Sequence, residues 1–343
     1  KMKALILNGP DEKFTIEKVQ DPIPKKGFAV AKVLACGSGL TIQHVKKGRI
    51  KANYPIIIGH EIVAEIVEIN DENTNLKVGM PVTAYFYLTC GECKWCGLDR
   101  ETLCTNFNGY VGRQINGGYA EFITLPVKNF IPIPDTVDYK NNLLEVAVIC
   151  DAIATPFKVI KKGRFVSNDK IGVIGAGGGL GIHMLKMLKL ENIDCVSIES
   201  KEEKFLYCNK NGSTFSVSPN DKDILNKIIE FTKGNLLDGI IDFVSSKSSL
   251  ELGLSLLGNG GRLLTLGGSG KSFISSSSQM LDKELELIGS KYCTKQEVKD
   301  SLDLYAKGLI KPMISKISNF DGAESLHRDI EESTIVGRAG LII

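Results

Sequence analysis

The sequence predicts an α/β protein with two domains, a β-rich domain and a doubly wound parallel sheet. Its 343 residues suit two domains of ~150 residues each. Short strand-like runs fill the first part of the chain, whereas strand and helix patterns alternate after residue 155, where a glycine-rich turn appears. We therefore predict a first domain over 1–154, a second over 155–290, and a C-terminal segment, 291–343, that returns to the first.

The β-rich prediction rests on short apolar or alternating runs that Pro, Gly, Asn and Asp separate. These runs are MKALIL, FAVAKVLA, IVAEIVEI, MPVTAYFY and YAEFITL. In the second domain we predict strands at KIGVI, DCVSIES, DGIIDFV, RLLTLGG and LELIGSKYC. Helices are predicted at GIHMLKMLKL, KEEKFLYCNKNG, DKDILNKIIEFTKG and SSLELGLSLLGNGG, so βαβ units should build a parallel sheet. The C-terminal segment adds a helix at KQEVKDSLDLYAKGLI and a closing strand at VGRAGLII.

The composition argues against several classes of function. Hydrophobic residues make up 43% and charged residues 24%, the balance of a globular protein that buries a large core. The net charge of +2 gives no electrostatic reason to expect a nucleic acid or membrane partner. We find no apolar run near the ~20 residues of a membrane span and no signal-peptide pattern. We therefore expect a cytoplasmic protein that acts on small molecules.

Four cysteines are closely spaced in the pattern Cys90-x2-Cys93-x2-Cys96-x7-Cys104. Two-residue gaps let a tight turn aim successive sulfurs at one point, and a longer return brings in the fourth. Zn²⁺ takes four thiolates in a tetrahedron, and a closed set of four is a structural site. A reducing cytosol also favours metal binding over disulfides. We predict structural zinc here, with an iron–sulfur cluster or free thiols as alternatives; a thioredoxin-like pair would need a flanking strand and helix.

The strand KIGVI leads into a glycine turn that precedes a helix. Such turns need glycine for the tight bend, for approach of the backbone to a pyrophosphate and for helix–sheet packing. Glu199 ends the next strand, where a carboxylate takes the ribose hydroxyls and repels a 2′-phosphate. This favours NAD over NADP, a preference that Lys201 softens; the alternative is a glycine turn without a ligand. The predicted cofactor residues of this domain are Gly175, Gly177, Gly178, Gly179, Leu180, Gly181, Glu199 and Lys204.

Three further residues could hold a second metal ion. They lie outside the four-cysteine lobe, which is the segment from Cys90 to Cys104. They are Cys36 in ACGSGL, His60 in IIIGHEIV and Cys150 in AVICDAI. Two thiolates and an imidazole leave a fourth zinc position open for water or substrate. Taken singly, a buried cysteine is more often core filler, and a lone histidine is more often a structural residue. Their combination with the lobe and the glycine turn is the stronger signal.

These motifs, in this order, resemble the zinc-dependent alcohol dehydrogenases of the medium-chain dehydrogenase/reductase superfamily over essentially the whole chain. The resemblance implies a GroES-like catalytic domain plus a Rossmann domain, two zinc ions per chain, and a homo-oligomer, either a tetramer or a dimer. It implies that Cys36, His60 and Cys150 ligate the catalytic zinc. It makes Ser38 the hydroxyl that passes the alcohol proton toward the cofactor ribose. Glu61 would be a carboxylate beside the metal or an occasional fourth ligand.

By the same resemblance Arg338 would lie near the cofactor phosphates. Two positions depart from the family pattern Cys-Gly-Ser/Thr-Asp-x-His. Gly39 replaces the aspartate that orients the zinc-bound histidine, and Thr41 replaces the histidine that often ends the proton relay. Loss of such support typically costs about 10–100-fold in metal affinity or activity. His44 is either a substitute in the relay or a surface residue, and His327 is expected to pack or face water.

The combined expectation is an NAD(P)-dependent zinc alcohol dehydrogenase. It would transfer hydride between NAD(H) and an alcohol, aldehyde or ketone, with zinc as the Lewis acid. A second reading keeps the fold but transfers hydride to an α,β-unsaturated carbonyl or enoyl substrate, because the altered positions 39 and 41 imply a different proton route. A third reading is a non-catalytic nucleotide-binding protein, against which the three candidate zinc ligands argue.

Overall fold

The computed structural model describes residues 1–267 and 277–343. The chain divides into two compact units. The first unit contains Lys1–Ala154 and Cys293–Ile343, and the second contains Thr155–Tyr292. Within the described ranges, no helix combines the length and the apolar character that crossing a bilayer requires.

A seven-stranded, mainly antiparallel sheet is the main element of the first unit. Its strands are β3 (Phe28–Ser38), β4 (Glu61–Asn70), β5 (Pro81–Ala84), β6 (Phe122–Pro126), β7 (Phe130–Pro132), β14 (Ile314–Ser318) and β15 (Arg338–Ile342). Their order is β14-β15-β3-β4-β5-β7, and β6 also pairs with β3. Because Leu341 of β15 lies opposite Cys36 of β3, the C-terminal segment supplies a direct neighbour of the strand that carries this cysteine. A separate antiparallel pair joins β1 (Met2–Ile6) to β2 (Thr15–Val19).

The helices of the first unit are short, and several of them adjoin candidate site residues. They are α1 (Leu40–Lys46), α2 (Lys94–Gly97), α3 (Leu143–Val148), α10 (Lys295–Ala306) and α11 (Ala323–Glu331). After α3 the chain forms a π-helical turn at Ile149–Ile153, which contains Cys150. Single π-helical turns are frequent at functional sites. The helix predicted at KQEVKDSLDLYAKGLI is α10, and Thr294 and Glu297 form the capping box that begins it.

The second unit is built on a six-stranded parallel sheet. Its strands are β8 (Lys170–Ile174), β9 (Asp194–Ile198), β10 (Ser213–Val217), β11 (Leu237–Asp242), β12 (Leu257–Thr265) and β13 (Glu286–Gly289). The strand order is β10-β9-β8-β11-β12-β13. Counted from β8, this is the order 3-2-1-4-5-6 of a Rossmann sheet, which binds dinucleotides at the point where the order reverses. The predicted doubly wound sheet is therefore present.

The connecting helices of the second unit complete the βαβ pattern. They are α5 (Gly181–Leu190), α6 (Phe205–Lys210), α7 (Ile224–Phe231), α8 (Lys247–Ser255) and α9 (Ser277–Asp282), and α4 (Ala154–Gly163) precedes the first strand, β8. Apolar side chains of α7 and α8, including Ile228 and Leu254, pack into the same core as the strands. This burial explains why the amphipathic runs of the sequence form helices on the sheet.

Several element boundaries differ from the sequence prediction, and the difference is largest in the second unit. The helix predicted at SSLELGLSLLGNGG is too long, because α8 ends at Ser255 and Leu257 begins β12. Gly260 has φ of +69°, which no right-handed helix accepts, and β12 finds hydrogen-bond partners in β11 and β13. The strand predicted at LELIGSKYC is confined to β13. Gly268, the last residue of the predicted strand RLLTLGG, lies outside the described residues.

Candidate active site

The four lobe cysteines lie close together in the first unit. Their sulfur atoms all lie within 4.8 Å of one another. The Sγ–Sγ distances are 3.5 Å for Cys90–Cys104, 3.6 Å for Cys93–Cys96 and 3.9 Å for Cys90–Cys96. Thiolates bound to zinc at ~2.3 Å form a tetrahedron with edges of about 3.8 Å. The lobe therefore fits a structural zinc ion.

Local backbone geometry produces this arrangement. Gly91 has φ of +88°, a left-handed conformation that turns the chain between the first two cysteines. Backbone N–H groups donate to sulfur, from Cys90 to Cys104 at 3.3 Å and from Cys93 to Cys90 at 3.4 Å. Backbone hydrogen bonds, the largest from Cys96, lower the pKa of Cys93 to about 5. The lowered pKa favours the thiolate form at Cys93, whereas burial raises the pKa of Cys96 to about 12, which a bound zinc ion would counter.

Cys36, His60 and Cys150 also belong to the first unit, but they come from three separate elements. Cys36 lies in β3, His60 directly precedes β4, and Cys150 lies in the π-helical turn. Both thiols are fully buried, and His60 is 6% exposed. Burial raises the pKa of both cysteines well above its usual value, and the charge of Glu61 raises each further. A bound cation would stabilise the ionised form of such thiols, so the donor types fit a catalytic zinc ion.

The distances, however, do not close a cage around a second ion. Across residues 1–267 and 277–343, the lobe cysteines are the one group that places three or more ligand atoms within 4.8 Å of one another. His60 instead turns its Nε2 toward Asp151, whose Oδ2 is 3.6 Å away. Cys36, His60 and Cys150 therefore lie in the same unit, but their ligand atoms do not all lie within 4.8 Å of one another.

A buried arginine lies between two carboxylates beside these donors. Arg338 of β15 is 5% exposed, with Nε 3.2 Å from Oε1 of Glu61 and Nη2 3.0 Å from Oδ2 of Asp151. Burial raises the pKa of Glu61 to about 8, although the arginine charge acts to lower it. The guanidinium is therefore held by two carboxylates of its own unit, and its contact with cofactor phosphates stays a prediction.

This arginine also explains the glycine at position 39. A Cβ at Gly39 would lie 2.1 Å from Nη1 of Arg338, so the aspartate of the family pattern has no room there. Asp151 contacts both His60 and Arg338 and supplies a buried carboxylate from a different part of the chain. Sequence reasoning missed Asp151; an acidic residue directly after the candidate ligand Cys150 was the available signal.

Ser38, the last residue of β3, is buried and hydrogen-bonded. Its hydroxyl meets the hydroxyl of Tyr119, which lies 2.8 Å from Nε2 of His327. Sequence reasoning missed Tyr119, and it treated His327 as a packing or surface residue although its ring nitrogens are both hydrogen-bonded. His44 does not join this chain: its Nδ1 is buried without a hydrogen-bond partner in the described part of the protein.

The predicted glycine turn of the second unit lies between β8 and α5. Gly175 has φ of +76°, in the left-handed region that favours glycine. A Cβ at Gly181 would lie 2.2 Å from the carbonyl oxygen of Gly175, so the turn and the helix approach too closely for any side chain. Gly178, Gly179 and Leu180 complete the turn, and the N terminus of α5 follows it. This geometry is the one that a pyrophosphate-binding turn requires.

Glu199 follows β9 and contacts the turn directly. Its carboxylate accepts hydrogen bonds from the N–H groups of Gly177 at 2.7 Å and Lys201 at 3.0 Å. A Cβ at Gly177 would lie 2.6 Å from Cδ of Lys204 and 2.9 Å from Oε2 of Glu199. Lys204 is buried, and this burial lowers its pKa. The structure therefore brings the glycine turn, Glu199 and Lys204 together.

Two family models match the chain in consecutive segments. The alcohol dehydrogenase GroES-like domain matches residues 26–135, and the zinc-binding dehydrogenase model matches residues 179–307. Together these segments cover more than half of the chain. The chain belongs to the zinc-dependent alcohol dehydrogenase family. The predicted fold class, a GroES-like domain with a Rossmann domain, is confirmed.

The enzyme is an NAD(P)-linked, zinc-dependent oxidoreductase, and zinc and NAD are the cofactors of its family. An alcohol dehydrogenase of Geobacillus stearothermophilus is 27% identical over 341 residues, 98% of each chain. An acryloyl-coenzyme A reductase of Sulfurisphaera tokodaii is 26% identical over 344 residues, again 98% of each chain. The crystal structure of the alcohol dehydrogenase from Aeropyrum pernix matches with a TM-score of 0.91 at 26% identity, covering 99% of this chain and 100% of that one.

Proposed function

We propose that this enzyme oxidises an alcohol, or reduces the matching aldehyde or ketone, with Cys36, His60 and Cys150 as ligands of a catalytic zinc ion. The observation that supports this most is that both thiols are fully buried in the first unit, with Sγ of Cys150 3.9 Å from the carbonyl oxygen of His60. When bound, zinc supplies Lewis acidity to the substrate oxygen, and the nicotinamide supplies the hydride chemistry.

The residues around the donors have separate parts in this proposal. Asp151 lies beside the imidazole of His60, with Oδ2 3.6 Å from Nε2, and is assigned the orienting part that carboxylates commonly play for metal-binding histidines. Arg338 balances the charge of Asp151 and lies beside Glu61, because a buried carboxylate without a cation is costly. Ser38 is proposed to accept a hydrogen bond from the substrate hydroxyl. Glu61 is proposed to lie beside the zinc ion and to serve as an occasional fourth ligand.

NAD(H) is the proposed cofactor, and Glu199 is the residue that discriminates against NADP(H). A buried carboxylate at the end of β9, next to the glycine turn, favours ribose hydroxyls and disfavours a 2′-phosphate. Lys204 is proposed to contact the cofactor on the same side of the turn. The turn residues from Gly175 to Gly181 are proposed to hold the pyrophosphate at the N terminus of α5.

A second candidate keeps the cofactor but changes the substrate. Conjugate reduction of an enoyl or α,β-unsaturated carbonyl compound is supported by the similarity to the acryloyl-coenzyme A reductase and by the replaced family residues at Gly39 and Thr41. Such a reaction delivers its proton to carbon, so it needs a proton route different from that of alcohol oxidation.

Metal content and a substrate panel together test the proposal. We expect about two zinc ions per chain, and turnover of primary or secondary alcohols with NAD exceeding that of α,β-unsaturated carbonyls with NADH. Cys150→Ser should lower the zinc content to about one per chain and abolish turnover. Cys195→Ser, which removes a fully buried thiol of the second unit, is the control and should retain both. One zinc ion in the unmodified enzyme would contradict the proposed ligand set.

We also propose that the enzyme is cytoplasmic and forms a homo-oligomer, a tetramer or a dimer. The cysteine lobe supports a reducing compartment, because zinc binds thiolates and disulfides would remove them. Light scattering coupled to size-exclusion chromatography measures the assembly. A mass equal to one 37.4 kDa chain would contradict the oligomer.

A further inference from the structure

A continuous chain of hydrogen bonds runs from Ser38 to a partly exposed glutamate in the first unit. The hydroxyl of Ser38 meets that of Tyr119, which is 2.8 Å from Nε2 of His327. Nδ1 of His327 is 2.7 Å from Oε1 of Gln43, and Nε2 of Gln43 donates to Glu331 at 2.9 Å. The first four side chains are all buried, with exposures of 2% or less.

The donor and acceptor of each hydrogen bond in this series follow from the ionised carboxylate of Glu331 at its exposed end. Arg49 donates to Glu331 at 2.5 Å, and this hydrogen bond holds the pKa of Glu331 below its usual value. The ionised carboxylate can only accept, so Gln43 must present its amide NH₂ to it and its carbonyl oxygen to His327. That oxygen also only accepts. Nδ1 of His327 must therefore carry the ring proton, and Nε2 is left as an acceptor.

An unprotonated Nε2 on His327 fixes the direction of the hydrogen bonds made by the hydroxyl groups of Tyr119 and Ser38. Tyr119 donates to His327, so the oxygen of Tyr119 accepts from Ser38. Burial, with a smaller effect from the charge of Lys46, lowers the pKa of His327 to about 3. The ring is therefore neutral near pH 7, which suits a fixed acceptor and not a residue that stores a proton. Phe14 packs edge-on against both rings, at centroid distances of 6.0 and 5.1 Å.

We propose that Tyr119 and His327 are positioning residues for Ser38. They hold its hydroxyl with the hydrogen toward Tyr119, which leaves the lone pairs of the Ser38 oxygen free to accept a hydrogen bond from an alcohol substrate. Because the ring of His327 stays neutral near pH 7, they orient the Ser38 hydroxyl and do not replace the relay histidine for which Thr41 is substituted. The kinetic part of this inference rests on the proposed role of Ser38, whereas the orientation of the hydrogen bonds does not.

The tautomer of His327 is the direct test. Nitrogen NMR of protein with labelled histidine, with signals assigned by their loss in His327→Gln, should show Nδ1 protonated and Nε2 bare at pH 7. Glu331→Ala removes the acceptor that orients Gln43, so the ring should then populate both tautomers. Asp329→Ala on the same helix removes an ion pair with Lys316 and is the control that should leave the tautomer unchanged. A protonated Nε2 in the unmodified protein would overturn the proposal.

Steady-state oxidation of benzyl alcohol with NAD tests the consequence for Ser38. Tyr119→Phe should lower kcat about tenfold and change KM less than about twofold, because the hydroxyl of Ser38 loses its acceptor while the pocket keeps its shape. Tyr110→Phe is the matched control, since it also removes a buried hydroxyl, one that bonds to Tyr87 at 3.2 Å. An unchanged kcat in Tyr119→Phe would overturn the positioning role. If the unmodified enzyme is inactive on alcohols but His327 has the Nδ1–H tautomer, the proposed function is contradicted. The orientation of the hydrogen bonds is then still supported.

Discussion

Replacing Gly39 by alanine places a methyl carbon where the guanidinium of Arg338 now lies. The added Cβ would be 2.1 Å from Nη1, more than an ångström closer than ordinary contact allows. The backbone at Gly39, with φ of −130° and ψ of −177°, is extended and accepts any residue. The cost of the substitution must therefore come from moving Arg338 away from Glu61 and Asp151.

The magnitude follows from the burial of that ion group. Breaking a buried ion pair costs about 3–5 kcal/mol, because the remaining charge has neither water nor a partner. Arg338 and Asp151 are both buried, at 5% and 3% exposed, so this range applies to their ion pair. Replacing glycine by alanine also stabilises the folded state by about 0.4–1 kcal/mol, because it reduces the conformational entropy of the unfolded chain. We expect Gly39→Ala to lower the free energy of unfolding by about 2–4 kcal/mol.

Chemical denaturation followed by circular dichroism measures the loss. Gly289→Ala is the matched control, because a Cβ there meets no atom within 4 Å, and its effect should stay within about 1 kcal/mol. In an Arg338→Met background, Gly39→Ala should lower the free energy of unfolding much less, because the flexible methionine side chain can move away from the new Cβ. Equal costs in the two backgrounds would refute the steric explanation.

Three further substitutions test other parts of the structure. Cys104→Ser should remove the lobe zinc and lower the measured zinc content by about one ion per chain, whereas Cys208→Ser, a buried thiol outside any ligand group, should retain it. Glu199→Ala should weaken NAD binding about tenfold or more and NADP binding less, as measured by calorimetric titration; equal losses would remove Glu199 from the ribose. Thr294→Ala should lower the thermal stability by about 1 kcal/mol, because it breaks the capping box of α10, and an unchanged melting temperature would show that the cap contributes nothing.

The parts of the site that lie close together in the chain could be predicted from the sequence. The lobe cysteines fall between Cys90 and Cys104, so their spacing alone limits how the sulfurs can meet, and the structure brings them within 4.8 Å. The glycine turn is equally local, since a strand, a tight turn and a helix follow one another from Lys170 to Leu190. The alternation of strands and helices also indicated the parallel sheet, whose order is that of a Rossmann fold.

Element boundaries were less predictable where pairing between strands decided them. The run LLGNGG continues a helical pattern in the sequence, yet Leu257 begins β12 because β11 and β13 offer backbone partners on both sides. A pattern within one segment carries no information about which strands will flank it. Tertiary pairing therefore overrode local preference there.

The sequence by itself determined the local ligand and cofactor motifs, because their residues are neighbours whose geometry a few backbone angles control. Only the tertiary structure decided how the polar groups around Ser38 and His60 are partnered. Arg338 meets Asp151 across 187 positions, and His327 meets Tyr119 across 208. Buried polar groups must find partners wherever the fold brings them, and distance along the chain does not limit that choice. Asp151 illustrates this: it directly follows a candidate ligand in the sequence, yet only the fold shows that its carboxylate pairs with Arg338.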